Sequence, residues 1–193
     1  MLSRYTSQPE PRSRFPRTAV AALAVGFVVL ASCGSSEDED SDSATQCRYH
    51  EGNCNIGCRD DCDPECMAVE GVCNIECGDN CSPVCRDSIN WGPCNLKCGD
   101  NCEPYCWIGQ VCNLDCGENC SARCRYVQSC DFDVGPNSTV FCELDEYCVV
   151  NCRGDCHVDC VHIPACDVTC AEGGLSTCPD GTLACGEGCS LEF

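Results

Sequence analysis

The sequence is poor in the aliphatic and aromatic residues that build a hydrophobic core, and poor in positive charge. Between residues 33 and 193, only 26 of 161 residues are Leu, Ile, Val or Phe, which is below the ~20% under which a highly charged chain is expected to be disordered. The same segment carries 7 Lys and Arg against 30 Asp and Glu, a formal charge of −23. This acidic excess argues against nucleic acid as a partner and against electrostatic docking on anionic lipid.

Familiar catalytic and metal-binding motifs are also missing. Neighbouring cysteines are always separated by at least three residues, so the C-x₂-C pairs of zinc, iron–sulfur and thiol-redox sites do not occur. No G-x-S-x-G nucleophile turn is present. His157 and His162 flank Cys160 as possible metal ligands, but we expect both to be surface residues. We therefore expect no enzymatic activity.

Cysteine is abundant where other core residues are scarce. The chain has 29 cysteines, and setting Cys33 aside leaves 28, an even number that can close fourteen bridges. This density in a short exported chain predicts a disulfide scaffold. Each bridge restricts the unfolded chain and typically contributes ~2–4 kcal/mol. Such bridges persist only in oxidising places such as the periplasm or the cell surface.

The first 33 residues have the order of an export signal. Residues 1–17 are basic and polar, and 18–30 form an apolar run of thirteen residues, too short to cross a bilayer of ~30 Å as a helix. The run ends in Leu30-Ala31-Ser32-Cys33, which resembles the bacterial lipobox. The alternative is an ordinary signal peptide with an accidental cysteine.

The lipobox resemblance implies a lipid anchor. Residues 1–32 would be removed, and Cys33 would receive diacylglycerol and further acyl chains that hold the protein stably in a lipid bilayer. Gly34 follows Cys33, in place of the aspartate that retains lipoproteins at the inner membrane, so the resemblance implies outer-membrane sorting. Residues 34–46 are small, polar and acidic, and we expect a disordered, self-repelling tether.

The rest of the chain is periodic. Cysteines recur in blocks of four, and a five-residue phrase of the type Cys-Asn-aliphatic-x-Cys begins at 54, 73, 94 and 112, with looser copies at 130, 148 and 166. A turn triplet such as Gly78-Asp79-Asn80 follows the phrase. Together with the lipobox, these phrases resemble the cysteine-rich repeat lipoproteins of myxobacterial-type delta-proteobacteria. That resemblance implies no catalytic residues.

The phrase alternates cysteine or aliphatic residues with polar ones, which is typical of a short half-buried strand. A unit of about 18 residues cannot bury its own inner face, so copies must stack. We predict a small, disulfide-rich, solenoid-like stack of short strands, with bridges between neighbouring rungs or across a tight turn. We expect 131–141 to loop out of this stack. The alternative is helical, because four-residue spacing also places cysteines on one helix face.

The turns carry acidic residues that predict a weak calcium site. If rungs stack in register, five acids occupy equivalent turn positions along one edge: Asp61, Asp79, Asp100, Glu118 and Asp155. Neighbouring asparagines offer neutral oxygens, and calcium takes six to eight oxygen ligands. The alternative is a simply solvated face.

The sequence thus predicts four segments: a signal peptide (1–32), a lipidated cysteine and tether (33–46), a cysteine-rich repeat domain (47–165) and an atypical C-terminal cap (166–193). We expect an envelope or surface lipoprotein with a structural or adhesive role. A binding module for calcium or a basic partner is the alternative.

Overall fold

The computed structural model describes residues 46–86, 92–143, 146–160 and 163–191. This part of the chain is built from short strands and one 3₁₀ turn, Gly188–Ser190. Within it, no helix has the length and apolarity needed to cross a membrane. The strands are β1 (Gln46–Arg48), β2 (Cys54–Gly57), β3 (Glu65–Met67), β4 (Cys73–Glu76), β5 (Val84–Arg86), β6 (Cys94–Cys98), β7 (Tyr105–Cys116), β8 (Ser121–Val134), β9 (Ser138–Glu143), β10 (Tyr147–Cys152), β11 (Cys156–Asp159), β12 (Ala165–Cys170), β13 (Leu175–Thr177) and β14 (Leu183–Cys185).

The strands coil into a β-solenoid with two faces. Face A contains β2, β4, β6, the second halves of β7 and β8, β10 and β12. Face B contains β1, β3, β5, the first halves of β7 and β8, β9 and β11. Neighbours within each face are parallel and one repeat apart, which confirms the predicted stack of strands over the helical alternative. We number the rungs 1 to 6 from the phrases that begin at 54, 73, 94, 112, 130 and 148.

The core is one thin layer of cysteines and aliphatic side chains between the faces. In every phrase the cysteine and the third residue point inward, because side chains alternate along a strand. The third residues are buried and stack in one column: Ile56, Ile75, Leu96, Leu114, Phe132, Val150 and Val168. A second buried column faces it from face B, and it changes from proline in the first rungs to Ala122, Val140 and Val158 in the later ones.

Twelve disulfides tie the rungs together. Seven join the last cysteine of one repeat to the first of the next: 47–54, 66–73, 85–94, 106–112, 124–130, 142–148 and 160–166. Three close a turn within a rung: 58–62, 116–120 and 152–156. The tight-turn bridges are of the predicted kind. The other seven cross the connector between successive repeats, and cysteines that stack in register on neighbouring strands, such as Cys54 and Cys73, are not bonded to each other. Cys77, Cys81, Cys98 and Cys102 are not bonded, so the structure has twelve of the fourteen bridges expected.

The prediction that 131–141 loops out of the stack is wrong. These residues form rung 5, with the second half of β8 on face A and β9 on face B. Phe132 takes the inward aliphatic position, and Val134 and Ser138 replace the two turn cysteines; all three are buried. The rung keeps its turn because Asn137 adopts the left-handed conformation (φ 57°), as asparagine does in the turns of rungs 2 to 4.

The C-terminal cap begins later than the sequence predicts. β12 is still in register with β10, and the pattern changes only after Cys170. There β13 and β14 form an antiparallel pair, and β14 lies antiparallel to β11. This hairpin covers the open edge of face B, where unpaired strand groups would otherwise invite edge-to-edge association.

Candidate functional site

Cys33, the predicted lipidation site, and the acidic tether lie outside the described residues. The other predicted site, the calcium edge, is the row of turns between faces A and B. We call this row the turn edge; it contains the triplets that start at 59, 78, 99, 117, 135 and 153.

The turn edge brings three of the five predicted acids together. Hydrogen bonds from the backbone N–H of one turn to the carboxylate of the turn before it place Asp79, Asp100 and Glu118 in one column, which Asp60 begins. Asp61 lies one residue further along its triplet, in the column that asparagine occupies elsewhere. Asp155 faces the cap, where its Oδ1 accepts the amide N–H of Glu187 at 3.2 Å. The equivalence predicted for all five acids is therefore wrong, because the triplet Arg59-Asp60-Asp61 aligns residue by residue with Gly78-Asp79-Asn80 and Asp155 contacts the cap.

The aligned carboxylates already have a structural task. Oδ1 of Asp60 accepts the amide N–H of Asp79 at 2.9 Å, and Oδ1 of Asp79 accepts that of Asp100 at 2.9 Å. Asp100 accepts the amide of Glu118 at 2.8 Å. Each of these three aspartates thus satisfies a backbone donor that the turn would leave unpaired. Glycine precedes Asp79, Asp100 and Glu118 because a Cβ there would overlap the carboxylate of the previous turn, as at Gly99 against Oδ1 of Asp79. One oxygen of each aspartate remains for solvent or a cation.

The asparagines of the turn edge serve the backbone. Asn80, Asn101 and Asn119 each have φ of 56–57°, a left-handed conformation that asparagine adopts more readily than most residues. Their side chains are exposed. A second asparagine series on face A forms a ladder, in which Asn74 donates to Asn55 at 2.7 Å and Asn95 donates to Asn74 at 2.7 Å. Both series hold neighbouring rungs in register.

Four unbonded cysteines, which we call the turn thiols, lie beneath the turn edge in rungs 2 and 3: Cys77, Cys81, Cys98 and Cys102. Sγ of Cys77 is 3.8 Å from Sγ of Cys98. The Cys81 thiol donates to the carbonyl oxygen of Arg59 at 3.2 Å, and the Cys102 thiol donates to that of Gly78 at 3.4 Å. Carbonyl oxygens favour the protonated thiol over the thiolate.

The pKa values of the turn thiols are mostly raised. Burial raises the pKa of Cys81 to about 11, and burial also raises the pKa of Cys102. The hydrogen bond that Cys77 and Cys98 share raises the pKa of Cys98 and lowers that of Cys77. Three of the four groups therefore remain thiols at neutral pH, and only the thiolate is a strong nucleophile or metal ligand.

Four groups of three potential ligand atoms lie within 4.8 Å of one another in the described part of the chain. All six cysteines of the groups Cys73/Cys85/Cys94 and Cys152/Cys156/Cys185 are in disulfides. The groups Cys58/Cys77/Cys81 and His157/Cys178/Asp180 each include a bonded cysteine, Cys58 or Cys178. None of these four groups offers three unbonded ligands.

The prediction that His157 is a surface residue is wrong. Its side chain is only 4% exposed, because the cap hairpin packs over β11. Nε2 lies 2.5 Å from Oγ1 of Thr182, and Nδ1 lies 2.9 Å from the carbonyl oxygen of Leu191. Thr182 donates its hydroxyl to Asp180 at 2.6 Å. This chain of polar contacts fastens the cap to rung 6. His162 lies outside the described residues.

Sequence reasoning missed the outer surface of face B, where arginines and aromatic residues gather. The sequence pattern that indicates this surface is the pair of residues on either side of the last cysteine of each block, such as Tyr105 and Trp107 around Cys106. Because side chains alternate along a strand, these residues point outward where the cysteine points inward. No protein-family model matches the chain, and comparison with curated proteins and with solved structures returns no match.

Proposed function

We propose that the chain is a non-enzymatic, lipid-anchored protein of the bacterial cell envelope, which presents a rigid disulfide-stapled rod for structural or adhesive contact. The observation that carries this proposal is the architecture itself: six stacked rungs joined by local bridges. Seven strands of face A at a spacing of about 4.8 Å give the rod a length of about 30 Å.

The bridges support an oxidising location and a rigid ectodomain. Bridges of this number persist outside the reducing cytosol, in agreement with an export signal at residues 1–32. The ten bridges of the solenoid join cysteines 4 to 9 residues apart. Each rung is therefore tied locally, so that opening one rung does not release the next. Resistance to proteases follows from such local constraint.

The shape of the surface supports a role in contact with an extended partner, in preference to a catalytic role. Four grooves of the described part have volumes of about 410–480 Å³ and lie on the outer faces or the connector edge of the solenoid. Their walls are side chains of neighbouring rungs at a regular spacing. A surface of this kind offers the same contacts repeatedly along the rod, as adhesion and scaffolding require.

The anchor is tested at Cys33. The parent chain, expressed in a double-membraned bacterium, is expected to incorporate labelled fatty acid and to partition with outer membranes. Cys33→Ser is expected to lose the label and either appear in the soluble fraction or keep its signal peptide. Ser36→Ala, three residues further on, serves as the matched control and should behave like the parent. A Cys33→Ser protein that is cleaved and still fractionates with membranes would contradict the lipid anchor.

The rod is tested separately by proteolysis of the exported protein. We expect the oxidised chain to resist a broad-specificity protease beyond residue 46 and the reduced, alkylated chain to be digested completely, since the apolar core is too small to hold the fold alone. Equal digestion of both forms would overturn the proposal of a bridge-dependent rod.

A further inference from the structure

The outer surface of face B carries a strip of positive charge and aromatic rings on an otherwise acidic protein. β5, β7 and β8 lie side by side there, and their outward residues form two columns. We call these six residues the arginine–aromatic strip: Val84, Arg86, Tyr105, Trp107, Arg123 and Arg125. Three arginines and two aromatic rings occupy the strip, and an acid stands at the end of each column, Glu65 beside Val84 and Glu143 beside Arg125. Arg86 pairs with Glu65 at 3.9 Å. The strip thus holds three of the 7 Lys and Arg found beyond residue 32.

The arginines of the strip are held in different ways. The Arg86 guanidinium lies 5.1 Å from the centre of the Trp107 ring, and the Arg125 guanidinium lies 5.0 Å from that of Tyr126. These cation–π contacts order both side chains. Arg125 also pairs with Glu143 at 3.2 Å. Arg123 is exposed and forms no salt bridge with any residue that the structure describes.

A groove runs along the first column of the strip. It has a volume of about 410 Å³, and Tyr105, Arg123 and Phe141 line it in register on three successive strands. The two rings are therefore two strand spacings apart, roughly 10 Å, with the free guanidinium between them. Glu103 and Glu143 stand at its sides and offer hydrogen-bond acceptors.

Two polar donors at the strip have no acceptor in the described part of the chain. Nε1 of Trp107 and Nε of Arg125 are buried and form no hydrogen bond. Buried donors are normally paired, and an unpaired one costs free energy. Arg125 lines the groove, and Trp107 lies next to it in the second column. Both atoms are buried, so an acceptor reaches either donor only after its side chain shifts.

We propose that the arginine–aromatic strip binds a linear anionic polysaccharide, with the chain running along the solenoid axis and its carboxylates on Arg123. Sugar rings offer C–H faces that pack on Tyr105 and Phe141, hydroxyls that bond to the flanking glutamates, and acceptors for the unpaired donors. Arginine forms charge-assisted, often bidentate bonds with carboxylates. The spacing of the two rings, roughly 10 Å, is of the order of a disaccharide unit.

Size and charge favour a thin polymer over a folded protein. The strip covers three rungs and two columns, roughly 15 Å by 10 Å, whereas a stable protein interface needs about 800 Å² on each partner. Acidic residues surround the strip, and the segment beyond residue 32 has a formal charge of −23. An anionic polymer is therefore repelled by most of the surface, and Arg123 offers it a cation that forms no salt bridge with any described residue.

This inference rests on the adhesive role proposed above and gives it a ligand class. It is tested with the full exported chain, oxidised and purified in detergent, by calorimetric titration of a galacturonate oligomer. A neutral galactan oligomer of equal length and a polyglutamate of equal charge are titrated in parallel. We expect binding of galacturonate alone, weakened by salt. Membrane fractionation tests the anchor independently, so failure of one experiment does not imply failure of the other.

The variants compare one cation inside the strip with one outside it. Arg123→Gln is expected to weaken galacturonate binding about tenfold, the effect of one charge-assisted hydrogen bond. Tyr105→Ala is expected to weaken it as well, since it removes one ring of the groove. Lys97→Gln removes an equal charge from face A, where Lys97 pairs with Glu76 at 3.6 Å, and should change affinity less than about twofold. A non-reducing peptide map confirms that each variant keeps the parent bridges.

Several results would overturn the proposal. Absence of galacturonate binding to the parent chain would do so directly. Equal losses of galacturonate affinity in Arg123→Gln and Lys97→Gln would show that binding depends on the net charge of the protein and not on the strip. If polyglutamate binds as tightly as galacturonate, the strip recognises acidic peptides. If the neutral galactan binds as tightly as galacturonate, the charge of Arg123 has no role in binding.

Discussion

The turn thiols of rungs 2 and 3 allow a quantitative test of how the turns are closed. Cys77 and Cys81 flank the same three-residue turn that a bridge closes in rungs 1, 4 and 6, where the Cα atoms are 6.0–6.5 Å apart. Because these turns share one register, we expect exported protein to contain the bridges 77–81 and 98–102. The competing pairing joins neighbouring rungs, 77 to 98 and 81 to 102.

The stabilisation expected from the bridge 77–81 follows from the short loop that it closes. A bridge between residues four apart removes about 7 cal/mol/K of unfolded-chain entropy, or about 2 kcal/mol at 25 °C. Rung 5 shows which unbridged residues this turn accepts, because Val134 and Ser138 occupy the two cysteine positions and Ser138 Oγ accepts the amide N–H of Cys120 at 3.1 Å. The double variant Cys77→Val/Cys81→Ser copies that pair. We expect it to lower the free energy of unfolding by about 2 kcal/mol.

The assay combines mass spectrometry with urea unfolding. Exported protein is alkylated without reductant and digested, and we expect no labelled thiol beyond residue 46 and a peptide that links Cys77 to Cys81. The urea midpoint is then compared between parent and double variant at equal m-value. Peptides that link Cys77 to Cys98, a large labelled fraction, or an unchanged midpoint would refute the reasoning.

Two further predictions concern rung 5 and the cap. Phe132→Ala should lower the free energy of unfolding by about 3–5 kcal/mol and Phe132→Leu by less than about 1.5 kcal/mol, since Phe132 is 1% exposed and leucine fills the same position in rungs 3 and 4; similar urea midpoints for the two variants would contradict this. Hydrogen bonds from Thr182 lower the pKa of Asp180 below its ordinary 3.8. A depressed folded-state pKa contributes stability above about pH 4 that is lost as pH falls through the folded value, so Thr182→Val should flatten the acid side of a thermal-unfolding profile. Identical acid slopes in parent and variant would argue against this contact.

The kind of fold could be predicted from the sequence because its signals are local. Alternation within Cys-Asn-Ile-Glu-Cys at residues 73–77 indicates a strand, and Gly78-Asp79-Asn80 indicates a turn, without reference to any other part of the chain. The scarcity of aliphatic residues and the even number of cysteines indicate bridges. Repetition every 18 to 21 residues then requires stacking, since one repeat cannot cover its own inner face.

What the tertiary structure decided is which residues share a column. Asp60, rather than Asp61, aligns with Asp79, as counting two residues from Cys58 and Cys77 also gives. Rung 5 lacks the turn cysteines, so its sequence indicates an insertion. Its place in the stack follows only from the burial of Phe132 and Val134, which depends on the rungs above and below. His157 is buried by a hairpin from the cap, and Arg123 lies between Tyr105 and Phe141 only through the register of three strands. Local sequence determined the strands, turns and repeat, whereas the contacts between rungs, which depend on register, determined the surfaces available to a partner.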